Sequence, residues 1–261
     1  MLFKRILLSP LYRIYERNLT KQIKNYASDE IPQHIGIILD GNRRFAKSMD
    51  ISIEKGYQIG SDKLEEVLDW LWDLKVRVVS VWVFSTENFD RDLEQVKTIM
   101  EMAEDRSIRI REDDKVHKRG VKIRYSGDRS RLPASLIEQI NKTEEATSKY
   151  QNFILNICLA YGGRAELTHA MKKIAMNVKT GDLNVEQIDE DLINEHLYTN
   201  GLPDPDLIIR TSGSIRLSGF MTWQASYSEL YFTDVLWPSF RKIDLLRAIR
   251  DFQARKRNFG T

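Results

Sequence analysis

Short hydrophobic runs alternate with longer amphipathic stretches along most of this chain of 261 residues. Each run is rich in branched apolar side chains and too short for a helix, so each predicts a buried strand. The first run stops abruptly at a carboxylate, a glycine and an amide, which marks a strand end. The predicted strands are Ile35–Leu39, Val78–Phe84, Val121–Tyr125, Phe153–Leu159, Leu207–Arg210 and Leu230–Phe232.

The stretches between these strands have apolar residues three and four positions apart, which predicts helices. Leu64, Val67, Leu68 and Leu71 form one such face, and Pro133 suits the first turn of a later helix. Strands and helices alternate, and no repeat or Pro/Gly linker divides them. We therefore expect one α/β domain with a mostly parallel central sheet flanked by helices. The other helices are predicted over Asp90–His117, Ala165–Val178, Val185–His196 and Ile243–Lys256.

Composition narrows the class of protein. Hydrophobic residues make up 42% of the chain, and the formal net charge is +2, so no nucleic-acid partner is expected. The one cysteine, Cys158, lies inside an apolar run, where a buried and unreactive thiol is expected. A lone cysteine excludes a disulfide within the chain, which fits the reducing cytoplasm. No apolar run approaches the ~20 residues that a membrane-spanning helix needs.

The N-terminal segment, residues 1–30, differs from the main domain predicted over residues 31–261. Leucines, isoleucines and aromatic residues alternate there with lysines and arginines. A basic amphipathic helix lying on a membrane surface explains this pattern, and a helix packed on the flank of the domain explains it equally well. Both interpretations stay open, so peripheral membrane contact is an expectation for this segment alone.

Polar side chains of a restricted kind follow four of the predicted strands. The carboxyl ends of parallel strands meet at one edge of a sheet, where ligands bind. Arginine forks bind phosphate oxygens, hydroxyls and amides add donors, and glycines allow close approach of the backbone. The inventory therefore predicts a site for oxyanions. Its segments are Asp40–Arg44, Ser85–Phe89 with Arg91, Tyr161–Arg164, and Arg210–Gly213 with Arg216 and Ser218.

Several familiar sites are absent from the sequence. It contains no G-x-x-x-x-G-K-[ST] phosphate loop, no G-x-G-x-x-G dinucleotide fingerprint and no G-x-S-x-G nucleophile motif. The four histidines show no metal-ligand spacing. What remains is a diphosphate site that uses one or two carboxylates and Mg²⁺.

At this point the sequence resembles a known family, the cis-prenyltransferases, which include undecaprenyl and dehydrodolichyl diphosphate synthases. The resemblance covers roughly residues 32–260 and consists of many separate motifs in the same order. The motifs are Asp40-Gly41-Asn42-x-Arg44, Phe84-Ser85-Thr86-Glu87-Asn88-Phe89, Tyr161-Gly162-Gly163-Arg164, Pro205-Asp206-Leu207-Ile208-Ile209-Arg210-Thr211-Ser212-Gly213, Trp223-Gln224, Tyr227-Ser228-Glu229-Leu230-Tyr231-Phe232 and Trp237-Pro238-Ser239-Phe240.

The resemblance implies an α/β homodimer with a hydrophobic tunnel and two diphosphate sites. It implies that Asp40 holds Mg²⁺ on the allylic diphosphate, and that Glu229 completes the metal shell across the dimer. It also implies that Asn88 helps proton removal near the reacting carbons. The residues implied to bind the allylic diphosphate are Gly41, Asn42, Arg43 and Arg44; those implied near the reacting carbons are Ser85, Thr86, Glu87, Phe89 and Arg91; those implied for the second diphosphate are Arg210, Arg216 and Ser218.

The chain departs from the family pattern at four positions. The family usually reads R-T-S-G-E-x-R-x-S-N-F, but Ser214 replaces the acid and Gly219 replaces the amide. Asn258 replaces the arginine of a C-terminal R-x-G, and Tyr57 replaces a histidine near the first site. Three of the four changes would fall at the isopentenyl site. Bulky residues in Val81-Trp82-Val83, on the implied tunnel wall, predict a short-to-medium product.

The function expected is condensation of an allylic prenyl diphosphate with isopentenyl diphosphate in cis. The altered second site leaves an alternative open, the irregular condensation of two allylic diphosphates such as dimethylallyl diphosphate and a longer one. A different class of function, a non-catalytic partner subunit of a heteromeric synthase, is the third interpretation. The presence of Asp40 argues against it, because such partners typically lose this aspartate.

Overall fold

Six parallel strands form one sheet in the order β3-β4-β2-β1-β5-β6. The computed structural model describes residues 2–25 and 30–255 of the chain. The predicted α/β fold with a parallel central sheet is confirmed, and each predicted strand is present within two residues of its expected ends. The strands are β1 (His34–Ile38), β2 (Val78–Ser85), β3 (Val121–Ser126), β4 (Phe153–Tyr161), β5 (Leu207–Arg210) and β6 (Glu229–Phe232).

Helices lie between the strands, as the alternation predicts. The helix that starts after Pro133 is confirmed, and so are the helices expected near residues 165–178 and 243–256. The helices are α1 (Leu2–Lys24), α2 (Asn42–Ser48), α3 (Ile53–Asp73), α4 (Leu93–Glu112), α5 (Asp114–Arg119), α6 (Ala134–Thr147), α7 (Gly163–Thr180), α8 (Glu190–His196) and α9 (Lys242–Ala254).

Two helix predictions are wrong in the same way. The stretch Asp90–His117 is divided at Asp113, whose side chain accepts a hydrogen bond from the Lys115 N–H at 2.8 Å and caps α5. The stretch Val185–His196 contains a short 3₁₀ turn and then α8, which Asp189 caps through the Leu192 N–H at 2.8 Å. An aspartate cap competes with continuation of the helix, and this local competition outweighed the apolar periodicity.

The sheet separates two hydrophobic clusters. Ile35, Ile37 and Val81 belong to the larger cluster, which also contains the apolar faces of α3, α4 and α9. Ile38 and Cys158 belong to the smaller one on the other face. Burial raises the pKa of the Cys158 thiol well above its usual value, so this cysteine is the buried, unreactive residue that was expected.

Helix α1 packs along α9. Leu19 and Ile23 are buried in the larger cluster, and the guanidinium of Arg241 lies 5.2 Å from the ring of Tyr12. The opposite face of α1 carries an exposed row of cations, which comprises Arg13, Arg17, Lys21 and Lys24. Among the described residues, no helix combines the length and the apolar character needed to cross a bilayer.

Candidate active site

A cavity of about 680 Å³ begins at the carboxyl edge of the sheet and extends between the sheet and helices α3 and α4. Its mouth is polar and includes Asp40, Asn88 and Arg210. Its interior is largely apolar and ends near α5. The interior residues include Leu68, Trp72, Ile99, Ala103, Leu155 and Ile157.

Asp40 and Arg210 meet directly at the mouth, although they are 170 positions apart in the chain. The Arg210 Nη2 donates to Asp40 Oδ2 at 3.0 Å, because β1 and β5 are paired and end side by side. Burial acts to raise the pKa of Asp40, but the hydrogen bond from Arg210 and the positive charge of Arg210 outweigh it. The pKa therefore lies below its usual 3.8, and the carboxylate is ionised at neutral pH.

Arg210 is also the buried centre of the loop that follows β5. Its Nη1 donates to Ser218 Oγ at 2.8 Å and to the carbonyl of Arg216. Its Nε has no hydrogen-bond partner among the residues that the structure describes. A buried cation with one unused donor is suited to an anionic ligand, since a buried N–H without a partner is costly.

The loop between β1 and α2 places four more predicted residues on the cavity wall. Gly41 has φ +112°, and a Cβ there would lie 3.1 Å from the Leu236 backbone, so only glycine fits this turn. Asn42 donates to the Leu39 carbonyl at 3.0 Å. Arg43 and Arg44 are exposed, and Arg44 donates to the Ser212 carbonyl at 2.8 Å.

Arg91 lies opposite this loop, on the far side of the mouth. Burial is the main cause that lowers the pKa of Arg91, and the nearby charge of Arg43 also lowers it. Its Nη1 donates to the Tyr57 hydroxyl at 3.2 Å. Tyr57, which stands where the family has a histidine, therefore holds a cation in place at the cavity mouth.

Only part of the segment Ser85–Phe89 lines the cavity. Ser85, Glu87 and Asn88 line the cavity, and the Asn88 Oδ1 accepts from the Ser85 N–H at 3.3 Å. Thr86 and Phe89 do not line it. Phe89 instead packs edge-on against Phe84 with ring centres 4.9 Å apart. Contact of Thr86 and Phe89 with substrate therefore stays a prediction.

Of the residues predicted to bind the second diphosphate, Arg210 is buried, whereas Arg216 and Ser218 are exposed. Ser218 lines the cavity, and Arg216 does not. Gly219 has φ +90°, a backbone conformation that favours glycine, which gives this replacement a local reason. Ser214 is half-buried in the same loop, and Asn258 lies outside the described residues.

Glu229 is not brought to Asp40 within the chain. It begins β6 opposite Leu207, at the end of β5 away from Arg210, and it is ion-paired with Arg255. Glu229 lies level with Leu207 and therefore with Ile35, five positions before Asp40, which is roughly 16 Å along the sheet. Among the described residues no group of three or more metal-binding side chains is present.

Trp82 lines the cavity, as expected for the implied tunnel wall, but two further residues at the site were not predicted. Trp237 lines the cavity, although the motif that contains it carried no role in the sequence analysis. Glu166 is fully buried behind the site, where it accepts from Tyr161 at 2.5 Å and from Gln224 at 3.1 Å. Burial raises its pKa. The motifs Y-G-G-R and W-Q contain its two partners and are the signal that could have found it.

Comparisons with known proteins identify the family of this chain. A family model described as "Putative undecaprenyl diphosphate synthase" matches residues 38–260. A tritrans,polycis-undecaprenyl-diphosphate synthase (geranylgeranyl-diphosphate specific) of Methanopyrus kandleri is 47% identical over 98% of this chain and 93% of its own length. An isoprenyl transferase of Thermus thermophilus is 45% identical over 96% of both chains.

A solved structure is also similar. Lavandulyl diphosphate synthase from Lavandula x intermedia, in complex with dimethylallyl diphosphate, has a TM-score of 0.86 and 34% identity, covering 90% of this chain and 100% of that one. These proteins favour neither the irregular condensation nor the partner-subunit interpretation. The chain therefore belongs to the undecaprenyl diphosphate synthase family and is a cis-prenyltransferase, an enzyme that condenses an allylic diphosphate with isopentenyl diphosphate.

Proposed function

We propose that the enzyme extends a long allylic diphosphate, of geranylgeranyl length, by repeated cis addition of isopentenyl diphosphate. The contact between Asp40 and Arg210 at the cavity mouth is the single observation that carries this proposal. It joins a carboxylate and a buried cation at the meeting point of two phosphate-binding loops. The relative from Methanopyrus kandleri, whose name specifies geranylgeranyl diphosphate, supports the length of the allylic substrate.

The allylic diphosphate is held by the loop after β1. Gly41 and Asn42 shape this loop, while Arg43 and Arg44 supply exposed cations on the cavity wall. Arg91 adds a third cation, positioned by Tyr57. Breaking the allylic C–O bond places charge on the departing diphosphate, and fixed cations stabilise that charge in the transition state.

Asp40 fits a magnesium ligand. Mg²⁺ is usually held by one or two carboxylates together with waters and substrate phosphates, and Asp40 is an ionised, partly exposed carboxylate beside the cationic loop. When bound, the metal would neutralise charge on the leaving diphosphate. Glu229 is proposed to contribute from the second subunit of a homodimer, since it lies far from Asp40 in its own chain.

The second diphosphate is held by the loop after β5. Arg216 is exposed and has no salt bridge among the described residues, so its charge is free to meet an anion. Ser218 adds a hydroxyl, and Arg210 holds the loop in shape through both residues. Asn88 and Ser85 lie at the mouth between the two loops, where Asn88 is proposed to assist proton removal.

The apolar interior of the cavity receives the hydrocarbon tail. Leu68, Ile99 and Leu155 are among its wall residues, and they exclude water from the part of the substrate beyond the diphosphate. Binding of the tail there brings the allylic carbon to the mouth. The reaction then takes place at the boundary between the charged and the apolar parts of the cavity.

Helix α1 is proposed to bring the enzyme to an anionic membrane surface. Its inner face is buried against the domain through Leu19 and Ile23, and its exposed face carries cations together with Ile14 and Tyr15. That face presents Arg13, Arg17 and Lys21 at intervals of four residues. Basic side chains near an anionic bilayer each contribute about 1 kcal/mol of attraction. A long prenyl product would also partition into such a membrane.

The test uses purified enzyme, Mg²⁺, geranylgeranyl diphosphate and labelled isopentenyl diphosphate, with the products separated by chain length. We expect labelled products with several added cis units, and a lower KM for geranylgeranyl than for dimethylallyl or farnesyl diphosphate. Dimethylallyl diphosphate offered in place of isopentenyl diphosphate should give little product. Absence of incorporation with every allylic substrate, or efficient joining of two allylic diphosphates, would contradict the proposal.

A further inference from the structure

Salt bridges join helix α3 to helices α4 and α5 along the outer rim of the cavity. Arg106 contacts both Asp62 and Glu65, and Lys115 contacts Asp69 at 3.3 Å. Arg119 contacts Asp69 at 3.3 Å and Asp73 at 3.2 Å. We call this set the ionic seam; it comprises Asp62, Glu65, Asp69 and Asp73 from α3 with Arg106, Lys115 and Arg119 from α4 and α5.

The ionic seam has a regular charge pattern. Its α3 members are all acids, and they are three or four positions apart, so they share one face of the helix. Its α4 and α5 members are all bases. Helix α3 therefore presents a negative face to the positive side chains of α4 and α5 across the side of the cavity, in addition to the apolar residues that α3 and α4 contribute to the larger hydrophobic cluster.

The cavity reaches the ionic seam. Glu65, Asp69, Arg106 and Lys115 line the cavity as well as forming the salt bridges. The acids paired with Arg106 are mostly exposed, with side-chain exposures of 58% and 66%. Ion pairs in contact with water are weak, because solvent and salt screen them. On this side the cavity is therefore closed in part by ion pairs whose acids are exposed to solvent, while the Arg106 side chain itself is 16% exposed.

The cavity is small compared with a long prenyl chain, so the closure of its side by the ionic seam affects a growing product. Its volume, about 680 Å³, falls within the range of roughly 300–1,000 Å³ for pockets that enclose small ligands. Each condensation adds five carbons to a tail that is anchored by its diphosphate at the mouth. A tail of many isoprene units exceeds the enclosed space, so it has to leave through a wall.

We infer that the growing prenyl tail leaves the cavity sideways between α3 and α4, and that the ionic seam, with Arg106 at its centre, opens to let it pass. This inference rests on the proposed function, because only a long product needs the exit. The ionic seam then sets product length: while it is closed the tail is confined to the cavity, and once it opens elongation continues.

A reversible cross-link across the ionic seam tests the inference. The full-length enzyme would carry Glu65→Cys together with Arg106→Cys, and a short thiol-cleavable cross-linker would join the side chains at these two positions. Cys158 is fully buried, so it does not compete for the reagent. The matched control joins Asp114→Cys to Lys118→Cys, an exposed pair on α5 that is also salt-bridged but does not line the cavity.

With the cross-link in place, we expect labelled products to stop at short chains, and we expect reduction of the cross-link to restore the long ones. The control pair should give the uncross-linked length distribution throughout. The amount of each product is divided by the number of first condensations, so that a change in overall rate is not mistaken for a change in chain length. Long chains from the closed enzyme would overturn the inference. A parent enzyme that makes no product at all would overturn the proposed function as well.

Removing the salt bridges provides an independent measurement. Arg106→Gln keeps a long polar side chain but loses the charge, so the ionic seam opens more readily, and the main product should be longer by at least one isoprene unit. Lys97→Gln is the matched control, because Lys97 lies on the same helix α4, pairs with Glu101 of that helix and does not line the cavity. An unchanged length distribution in Arg106→Gln would contradict a role for Arg106 in confining the tail.

Discussion

At the scale of single residues, Arg210 organises the proposed reaction centre. It is almost fully buried, yet it contacts Asp40, Ser218 and the Arg216 backbone, and one donor remains unused. The sequence placed Asp40 and Arg210 at strand ends, but it could not show that they touch, because that contact depends on the pairing of β1 with β5. Residue type and position were predictable, whereas the partner was not.

Arg216 provides the first prediction at this scale. Arg216→Ala should raise the KM for isopentenyl diphosphate roughly tenfold to a hundredfold, since a hydrogen bond to a charged group contributes about 1.5–3 kcal/mol. The KM for the allylic diphosphate should change little, because Arg216 does not line the cavity. Steady-state kinetics with each substrate varied in turn measure both values.

The matched control for this prediction is Arg77→Ala. Arg77 is exposed at the amino end of β2, on the opposite edge of the sheet, so its removal should leave both KM values unchanged. Equal increases for the two substrates in Arg216→Ala would show that Arg216 does not distinguish the two diphosphates.

Asp40 gives a prediction about pH. Its folded-state pKa lies below the usual 3.8, so the ionised carboxylate stabilises the fold above that value and the contribution is lost as the pH falls through the folded pKa. The melting temperature of the parent should therefore drop more steeply than that of Asp40→Asn from about pH 5 to about pH 3. Parallel melting curves across this range would show that the Asp40–Arg210 pair adds no stability.

At the scale of secondary structure, strand β2 forms part of the cavity wall. The expectation that Val81-Trp82-Val83 lines the tunnel is correct for Trp82 and Val83 but wrong for Val81. Val81 is fully buried in the larger hydrophobic cluster, and the pairing of β2 with β4 is irregular between Trp82 and Phe84, so regular alternation of side chains does not hold at this end of the strand. Strands and most helices were predictable from periodicity, whereas the breaks at Asp113 and Asp189 required attention to capping residues.

Val83 gives the prediction at this scale. Val83→Ala enlarges the cavity near its mouth, so the product distribution should shift towards longer chains, as analysed after incubation with geranylgeranyl and isopentenyl diphosphates. Val81→Ala removes the same atoms from the packed core, so it should lower the melting temperature without changing product length. An identical length distribution in Val83→Ala and the parent would mean that this part of the wall does not limit the chain.

At the scale of the whole molecule, helix α1 and the proposed dimer extend the site beyond one compact chain. The sequence of α1 left two interpretations open, a helix on a membrane surface and a helix packed on the domain. In the structure the inner face of α1 packs on the domain, and its outer face carries exposed cations. Local periodicity could not show that Glu229 lies far from Asp40 within one chain, and only the family resemblance implied a place for it across a dimer. Distances between elements depend on tertiary packing, and local periodicity does not encode them.

Helix α1 gives the prediction at this scale. Arg17→Glu combined with Lys21→Glu should lower association with vesicles of anionic lipid at least tenfold, as measured by co-sedimentation. The matched control, Lys172→Glu with Lys179→Glu on α7, makes the same change in net charge on an exposed face elsewhere. Equal losses in both variants, or binding to uncharged vesicles, would show that α1 is not a specific membrane contact.

The central claim is that Asp40, at the mouth of the apolar cavity, supports prenyl transfer with Mg²⁺. Incorporation of labelled isopentenyl diphosphate into geranylgeranyl diphosphate, compared between the parent and a folded Asp40→Asn variant, tests it most directly. The side chains are nearly equal in size, so the comparison isolates the charge. We predict rapid incorporation by the parent with Mg²⁺ and at least a hundredfold slower incorporation by the variant. Incorporation by the variant at the parent's rate would contradict the account.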